Sequence, residues 1–262
     1  MKYSLCIGAY KGKDVVYHLE KVKEHGFNGL EYYGWWDLNL KEVAKEQERI
    51  GVGIIATCTK FFNLVDGTRR ADYIDGLKQT IEACTVLGTK SIITQTGNVI
   101  DGVPRETQQQ AMIETLKQCA PLLEKAGITL EVEPLNGLVD HIGHFLQYSD
   151  ESVSVIDQIN SPNVKLVFDV YHQQITEGNV IRNATNYLER INHYHIADNP
   201  GRKQPGTGEL NYINILNAIK ETGFSGFVGL ECGYTKDTDE ALEEFKQNIL
   251  RYVEQKDGSP AQ

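Results

Sequence analysis

The chain has 262 residues with 36 acidic against 26 basic side chains, a formal net charge of -10. That length suits one α/β barrel, which typically runs to about 250 residues as a single domain, and the acidic balance argues against a nucleic-acid partner, which demands a basic footprint. The five cysteines (Cys6, Cys58, Cys84, Cys119, Cys232) are scattered without a CxxC pair, as expected of reduced thiols. No stretch has signal-peptide character or the ~18 consecutive apolar residues of a membrane span, so a cytoplasmic protein with no membrane partner is expected.

Strand-like and helix-like segments alternate along the chain. Tyr3 to Ile7 reads as a first strand, followed by a helical pattern from Asp14 to His25 that stops at Gly26. Gly29 to Tyr32 and Leu40 to Ile50 form the second pair, ended by Gly51, and Gly53 to Thr57 with Arg69 to Leu87 the third, ended by Gly88. Ser91 to Gln95 leads to a helix from Pro104 to Ala126 closed by Gly127; glycine at these stops suits a C-terminal cap, and proline suits a first helical turn.

Strands five to eight are Thr129 to Glu133, Val164 to Asp169, Ile191 to Ile196 and Phe227 to Glu231. They alternate with helices near Asp150 to Ile159, Val180 to Leu188, Tyr212 to Thr222 and Thr238 to Glu254. Eight such pairs close into a (β/α)8 barrel over residues 1–254, with a disordered, polar tail at 255–262. An open doubly wound sheet is the competing architecture, but the first turn, GAYKGKD, lacks GxGxxG.

The chemistry concentrates at strand ends. Glu133, Asp169, His195 and Glu231 each stand at or beside the end of a strand in the second half of the chain, and C-terminal strand ends form the active face of such barrels. A lone acid there can as well cap a helix or sit in solvent; four on successive strands point to a divalent-metal site. Three carboxylates and an imidazole suit Mn2+ or Mg2+ best, with Co2+ or Zn2+ compatible. Such an ion polarises a carbonyl and acidifies the adjacent C–H, so Glu133 and Glu231 are candidate catalytic bases flanking the substrate carbon. Alternation also places Glu131 on the face of Glu133 and His193 on that of His195, and a carboxylate inside a barrel needs a partner, so a Glu131–His193 hydrogen bond is expected beneath the ligands.

The stretches LEVEPLN (130–136), FDVYHQQITEGN (168–179), HIADNPGRKQPGTGELNY (195–212) and GLECGY (229–234) closely resemble the hydroxypyruvate isomerase family, within the wider xylose-isomerase-like barrels that include ketose 3-epimerases. NLVDG, ITQTGN and GVPRETQQQ extend the resemblance over nearly the whole chain. It implies that Glu133, Asp169, His195 and Glu231 are metal ligands, Glu133 and Glu231 the acid/base pair, and His172 and Arg202 contacts to substrate oxygens. One position departs: several hydroxypyruvate-type isomerases carry Gln where this chain has His195, whereas ketose epimerases carry His.

Arg202, in a glycine-rich loop, and Lys60, after strand three, are candidate binders of an anionic substrate, with Arg69 and Arg70 as further positive charge. Trp35, Trp36, Phe61 and Phe62 wall a pocket or fill a core, and His141 and His144 order a loop. The expected reaction is metal-dependent isomerisation of a small hydroxy-oxo acid through a cis-enediolate, hydroxypyruvate to tartronate semialdehyde being the model. A ketose 3-epimerase is the alternative and a metal-dependent phosphodiesterase of the same superfamily the remote one; a homo-oligomer is compatible with all three.

Overall fold

The computed structural model describes residues 1–60 and 63–254; Phe61, Phe62 and the tail at 255–262 lie outside the described residues. Eight parallel strands, paired in sequence order, form a closed ring among them: β1 (Lys2–Cys6), β2 (Gly29–Glu31), β3 (Ile54–Cys58), β4 (Ser91–Thr94), β5 (Thr129–Val132), β6 (Val164–Asp169), β7 (Ile191–Ile196) and β8 (Phe227–Leu230). The ring closes where β1 pairs with β8 over Lys2↔Phe227 to Leu5↔Leu230. The helices outside are α1 (Val15–Glu24), α2 (Leu40–Ile50), α3 (Arg70–Leu87), α4 (Arg105–Ala126), α5 (Ser149–Ile159), α6 (Val170–Thr176), α7 (Val180–Asn186), α8 (Tyr212–Glu221), α9 (Thr238–Phe245) and, after a π-helical turn, α10 (Arg251–Glu254). The (β/α)8 barrel expected from the repeat is the observed fold.

Local chemistry sets the boundaries. Asp14 caps α1 by accepting from Tyr17 N at 2.9 Å, and Gly51, Gly88 and Gly127 end their helices in the left-handed conformation that only glycine adopts cheaply. Pro104 sits one place before the helix it was expected to begin, as the N-cap of α4. Glu133 and Glu231, expected to close their strands, lie one residue beyond β5 and β8. Glu133 N still donates to Thr94 O at 3.0 Å, whereas Glu231 N turns back to Gly229 O at 3.1 Å.

Helix α6 was absent from the sequence reading. It follows β6 without a loop, and with no turn residues between strand and helix there was no boundary to recognise. Asp169 itself makes the junction, accepting from Tyr171 N and His172 N as the cap of α6.

The main apolar core lies between strands and helices, where Leu5, Leu30, Ile92, Leu130, Tyr194 and Val228 meet the inner faces of the helices. A much smaller apolar group, Ala56, Cys58, Ile93 and Val167, belongs to the barrel interior. The rest of the interior is polar: Ser4, Glu31, Glu131 and His193 are all fully buried. No helix among the described residues is long and apolar enough to cross a membrane.

Leu130 faces the outer core while its neighbours Glu131 and Glu133 face inward. Leu130→Ala is therefore expected to cost about 2–5 kcal/mol, as for other buried large-to-small changes, read as a lower urea midpoint. A cost under about 1 kcal/mol would contradict the assignment of Leu130 to the packed core.

Candidate active site

Four elements bring the strand-end residues together. Glu133 Oε1 lies 3.1 Å and Glu231 Oε2 3.5 Å from His195 Nδ1, and one ligand atom from each of Glu133, Asp169, His195 and Glu231 falls within 4.8 Å of the others. Glu133, Asp169 and His195 are buried, and Glu231 is half-buried. Asp169 divides its labour. Its Oδ1 accepts from Tyr171 N at 2.8 Å and His172 N at 3.1 Å, while Oδ2 is buried without a hydrogen-bond partner. The helix cap and the candidate ligand are thus one side chain, and the orphaned oxygen, costly if left unmatched, fits a cation. The oxygen-rich donor set suits a hard divalent ion.

The charges are strongly coupled. Burial, then the neighbouring Glu231, pushes Asp169 up to about 6. Burial opposes ionisation of Glu231 as well, but His195 and Arg202 outweigh it and hold its carboxyl well below the usual range. Likewise burial disfavours a charged His195, yet Glu31 and Glu231 raise it well above the ordinary imidazole value.

Beneath His195 lies Glu31, which the sequence reading missed. Its Oε2 accepts from His195 Nε2 at 2.8 Å, and its Oε1 pairs with His193 Nε2 at 3.1 Å and Ser4 Oγ at 2.6 Å. His193 Nδ1 approaches Glu131 Oε2 at 3.3 Å as an ion pair. The hydrogen bond expected between them is absent. Glu131 Oε2 lacks an aligned donor, and Oε1 instead accepts from Ser91 Oγ at 2.7 Å and Asn192 Nδ2 at 2.5 Å. Burial alone lowers His193, but Glu31 and Glu131 outweigh it and push it up to about 9. Glu31 closes β2 as Asp169 closes β6, so the strand-end criterion, extended to the first half of the chain, finds it.

His172 is buried beside Asp169, its Nε2 3.7 Å from Asp169 Oδ2 and without a hydrogen-bond partner. Burial holds it down to about 4, so it is neutral at pH 7. Asn136, also missed, fixes its tautomer. The Asn136 Oδ1 accepts from Val139 N and Asp140 N, which turns Nδ2 as donor toward His172 Nδ1 at 2.6 Å. The proton of neutral His172 therefore resides on Nε2, facing the cluster.

Arg202 Nη2 donates to Glu231 Oε2 at 2.5 Å, with its guanidinium 5.6 Å from the centre of the Tyr171 ring. Tyr33 Oη donates to the other Glu231 oxygen at 2.8 Å, a contact that no sequence signal announced. Lys60 instead donates to Gln79 Oε1 at 2.7 Å and lies over Trp35. Arg69 and Arg70 pair with Asp72 and Glu114 on the helices. The Trp35 indole donates to Cys58 O and is buried, while Trp36 is exposed. His144 is buried against Thr96 Oγ1 at 3.1 Å, and the ring of His141 stands 5.2 Å from that of His172. All five cysteines are buried and free.

A closed (β/α)8 barrel with carboxylates at its mouth is a scaffold on which many enzymes are built, and the comparisons narrow the class. The xylose isomerase-like TIM barrel family model matches residues 19–251, and the chain belongs to that family. The hydroxypyruvate isomerase of Escherichia coli (strain K12) is 30% identical over 237 residues, 87% of this chain and 90% of that one. The 2-oxo-tetronate isomerase of Cupriavidus necator is 30% identical over 163 residues, 62% of each. A crystal structure of an AP endonuclease, family 2, from Brucella melitensis superposes with a TM-score of 0.88 at 24% identity, covering 95% of this chain and 99% of that one; at that identity the likeness is one of fold. The protein is an isomerase.

Because Asp169 is raised in the folded, metal-free chain, the stability it contributes is fully present below its ordinary value near 4 and lost as pH rises through about 6. With a chelator present, wild type should lose on the order of 2 kcal/mol relative to Asp169→Asn between pH 4 and 7. Urea midpoints measured across that range check it; parallel curves for the two proteins would contradict the assignment.

Proposed function

We propose that this isomerase interconverts the keto and aldehyde forms of a small hydroxy-oxo acid, with hydroxypyruvate and tartronate semialdehyde as the model pair. The observation that carries the reading is the cluster of Glu133, Asp169, His195 and Glu231 donor atoms within 4.8 Å at the barrel mouth, with both glutamates beside His195 Nδ1. These four residues would hold one divalent ion, Mn2+ or Mg2+ by the hardness of the donors, which when bound would polarise the substrate carbonyl and acidify the neighbouring C–H.

The protein's own groups do the rest. One of Glu133 and Glu231 removes the proton from the hydroxyl-bearing carbon beside the carbonyl, the other, in its protonated form, gives one to the former carbonyl carbon, and the hydroxyl proton passes to the former carbonyl oxygen, with a cis-enediolate between the steps. The neutral His172 offers its Nε2–H to a substrate oxygen. Arg202 is the natural clamp for a substrate carboxylate, because a guanidinium can donate two parallel hydrogen bonds and here stays charged beside Glu231 and Asp169 despite its burial. On binding, the carboxylate takes over donors that Arg202 now gives to Glu231, freeing that glutamate for proton transfer. This guanidinium favours an oxo acid over a free ketose.

Glu133→Gln and Glu231→Gln should each lower turnover by about 10²–10⁴-fold or more, since each removes a proton-transfer group as well as a candidate ligand. Near-normal rates in either folded variant would refute the mechanism. Chelation should abolish activity and Mn2+ or Mg2+ restore it; full activity after verified metal removal would exclude the ion's role. In deuterium oxide, proton NMR of a panel of hydroxypyruvate, 2-oxo-tetronate, tagatose, fructose and ribulose should show deuterium entering a new aldehyde from an oxo acid. A C3-deuterated epimer from a ketose would instead establish a 3-epimerase, the reading that the imidazole at position 195 favours.

A further inference from the structure

We propose that Glu31 is the positioning residue of the candidate ion site: it grips His195 by Nε2 so that Nδ1 is turned to Glu133, Asp169 and Glu231, and Gly229 supplies the space through which it reaches. This rests on reading those four residues as metal ligands.

The geometry is over-determined. Glu31 stands on β2 and His195 on β7, with β1 and β8 between them in the ring. In the intervening row, His195 pairs with Gly229 and Gly229 with Ser4. The Glu31 side chain crosses this row inside the barrel. Ser4 Oγ and His193 Nε2 both hold Oε1, at 2.6 and 3.1 Å, which fixes the plane of the carboxylate and leaves Oε2 to His195 at 2.8 Å. A methyl group on Gly229 would lie 2.0 Å from Glu31 Oε1 and 3.0 Å from His195 Cδ2. Its backbone is not in the left-handed region, so the glycine is demanded by the carboxylate and not by the chain's conformation.

An imidazole has two nitrogens and can offer only one to the cluster. A carboxylate on Nε2 keeps a proton there and reserves the Nδ1 lone pair for a ligand bond, and such a partner also makes the ring a better donor. Glu31 touches neither the candidate ion position nor the substrate-binding groups, so its effect should pass through His195.

The test is Mn2+ titration calorimetry on metal-free wild type, Glu31→Gln, Gly229→Ala and Ser4→Ala, with the nitrogen resonances of His195 followed by NMR. Glu31→Gln and Gly229→Ala should weaken Mn2+ about 10–100-fold, and Ser4→Ala, which removes one hydrogen bond from Glu31 and leaves both imidazoles intact, by a smaller factor of about 2–10. With Mg2+ bound, the Nε2 proton of His195 should give a sharp, hydrogen-bonded resonance in wild type and a weakened one in Glu31→Gln. A merely structural glutamate would lower the melting temperature and leave the folded variants with wild-type affinity and nitrogen shifts; that outcome overturns the proposal. If Glu31→Gln does not fold, Ser4→Ala decides by the same two readouts. Wild type binding no Mn2+ would refute the proposed function, whereas wild type binding Mn2+ with Glu31→Gln and Gly229→Ala unchanged in affinity would overturn the role of Glu31 alone.

Discussion

A carboxylate shut inside a barrel has to be answered by a partner, and that constraint organises the centre of this protein. Glu31 and Glu131 are fully buried, and each meets His193, while Glu31 also meets His195. Removing one member of such a buried pair typically costs about 3–5 kcal/mol because the other charge is stranded. The small side chains around them, Ser4, Ser91 and Gly229, follow from it: two donate to the carboxylates and the third leaves room. The hydrophobic effect assembles the shell between strands and helices, but the polar column decides which side chains stand where along the axis.

That column ends at the mouth in an unfinished cluster. Asp169 Oδ2 and His172 Nε2 are buried and unmatched, whereas most buried polar atoms in a folded protein find a partner. They face each other across 3.7 Å beside three further donors. Below, Glu131 Oε2 also lacks an aligned donor but keeps His193 as an ion-pair partner at 3.3 Å, whereas the donors gathered at the mouth are of a kind that could hold an ion.

The supporting residues lie outside the four clustered positions. Asn136 sets the tautomer of His172, Tyr33 and Arg202 bracket Glu231, and Glu31 holds His195. Each fixes the protonation or direction of a group that would face substrate. Lys60 and Arg70, by contrast, spend their charge on Gln79 and Glu114, so positive charge near the acidic cluster comes chiefly from Arg202 among the residues singled out for anion binding.

The sequence by itself determined the barrel and the four strand-end residues, because both are written in local periodicity: apolar runs, glycine stops and a polar residue where each run leaves the sheet. It was blind to α6, whose boundary with β6 carries no turn residue, and it gave Glu131 a hydrogen bond to His193 where the structure has an ion pair at 3.3 Å. Only the tertiary structure decided that Glu31, 164 positions away in sequence, is the partner of His195, and that Glu131 turns to Ser91 and Asn192. Pattern in one strand reports which face a side chain takes; which of several inward-facing groups it meets depends on how the ring closes, and closure is a property of all eight strands together.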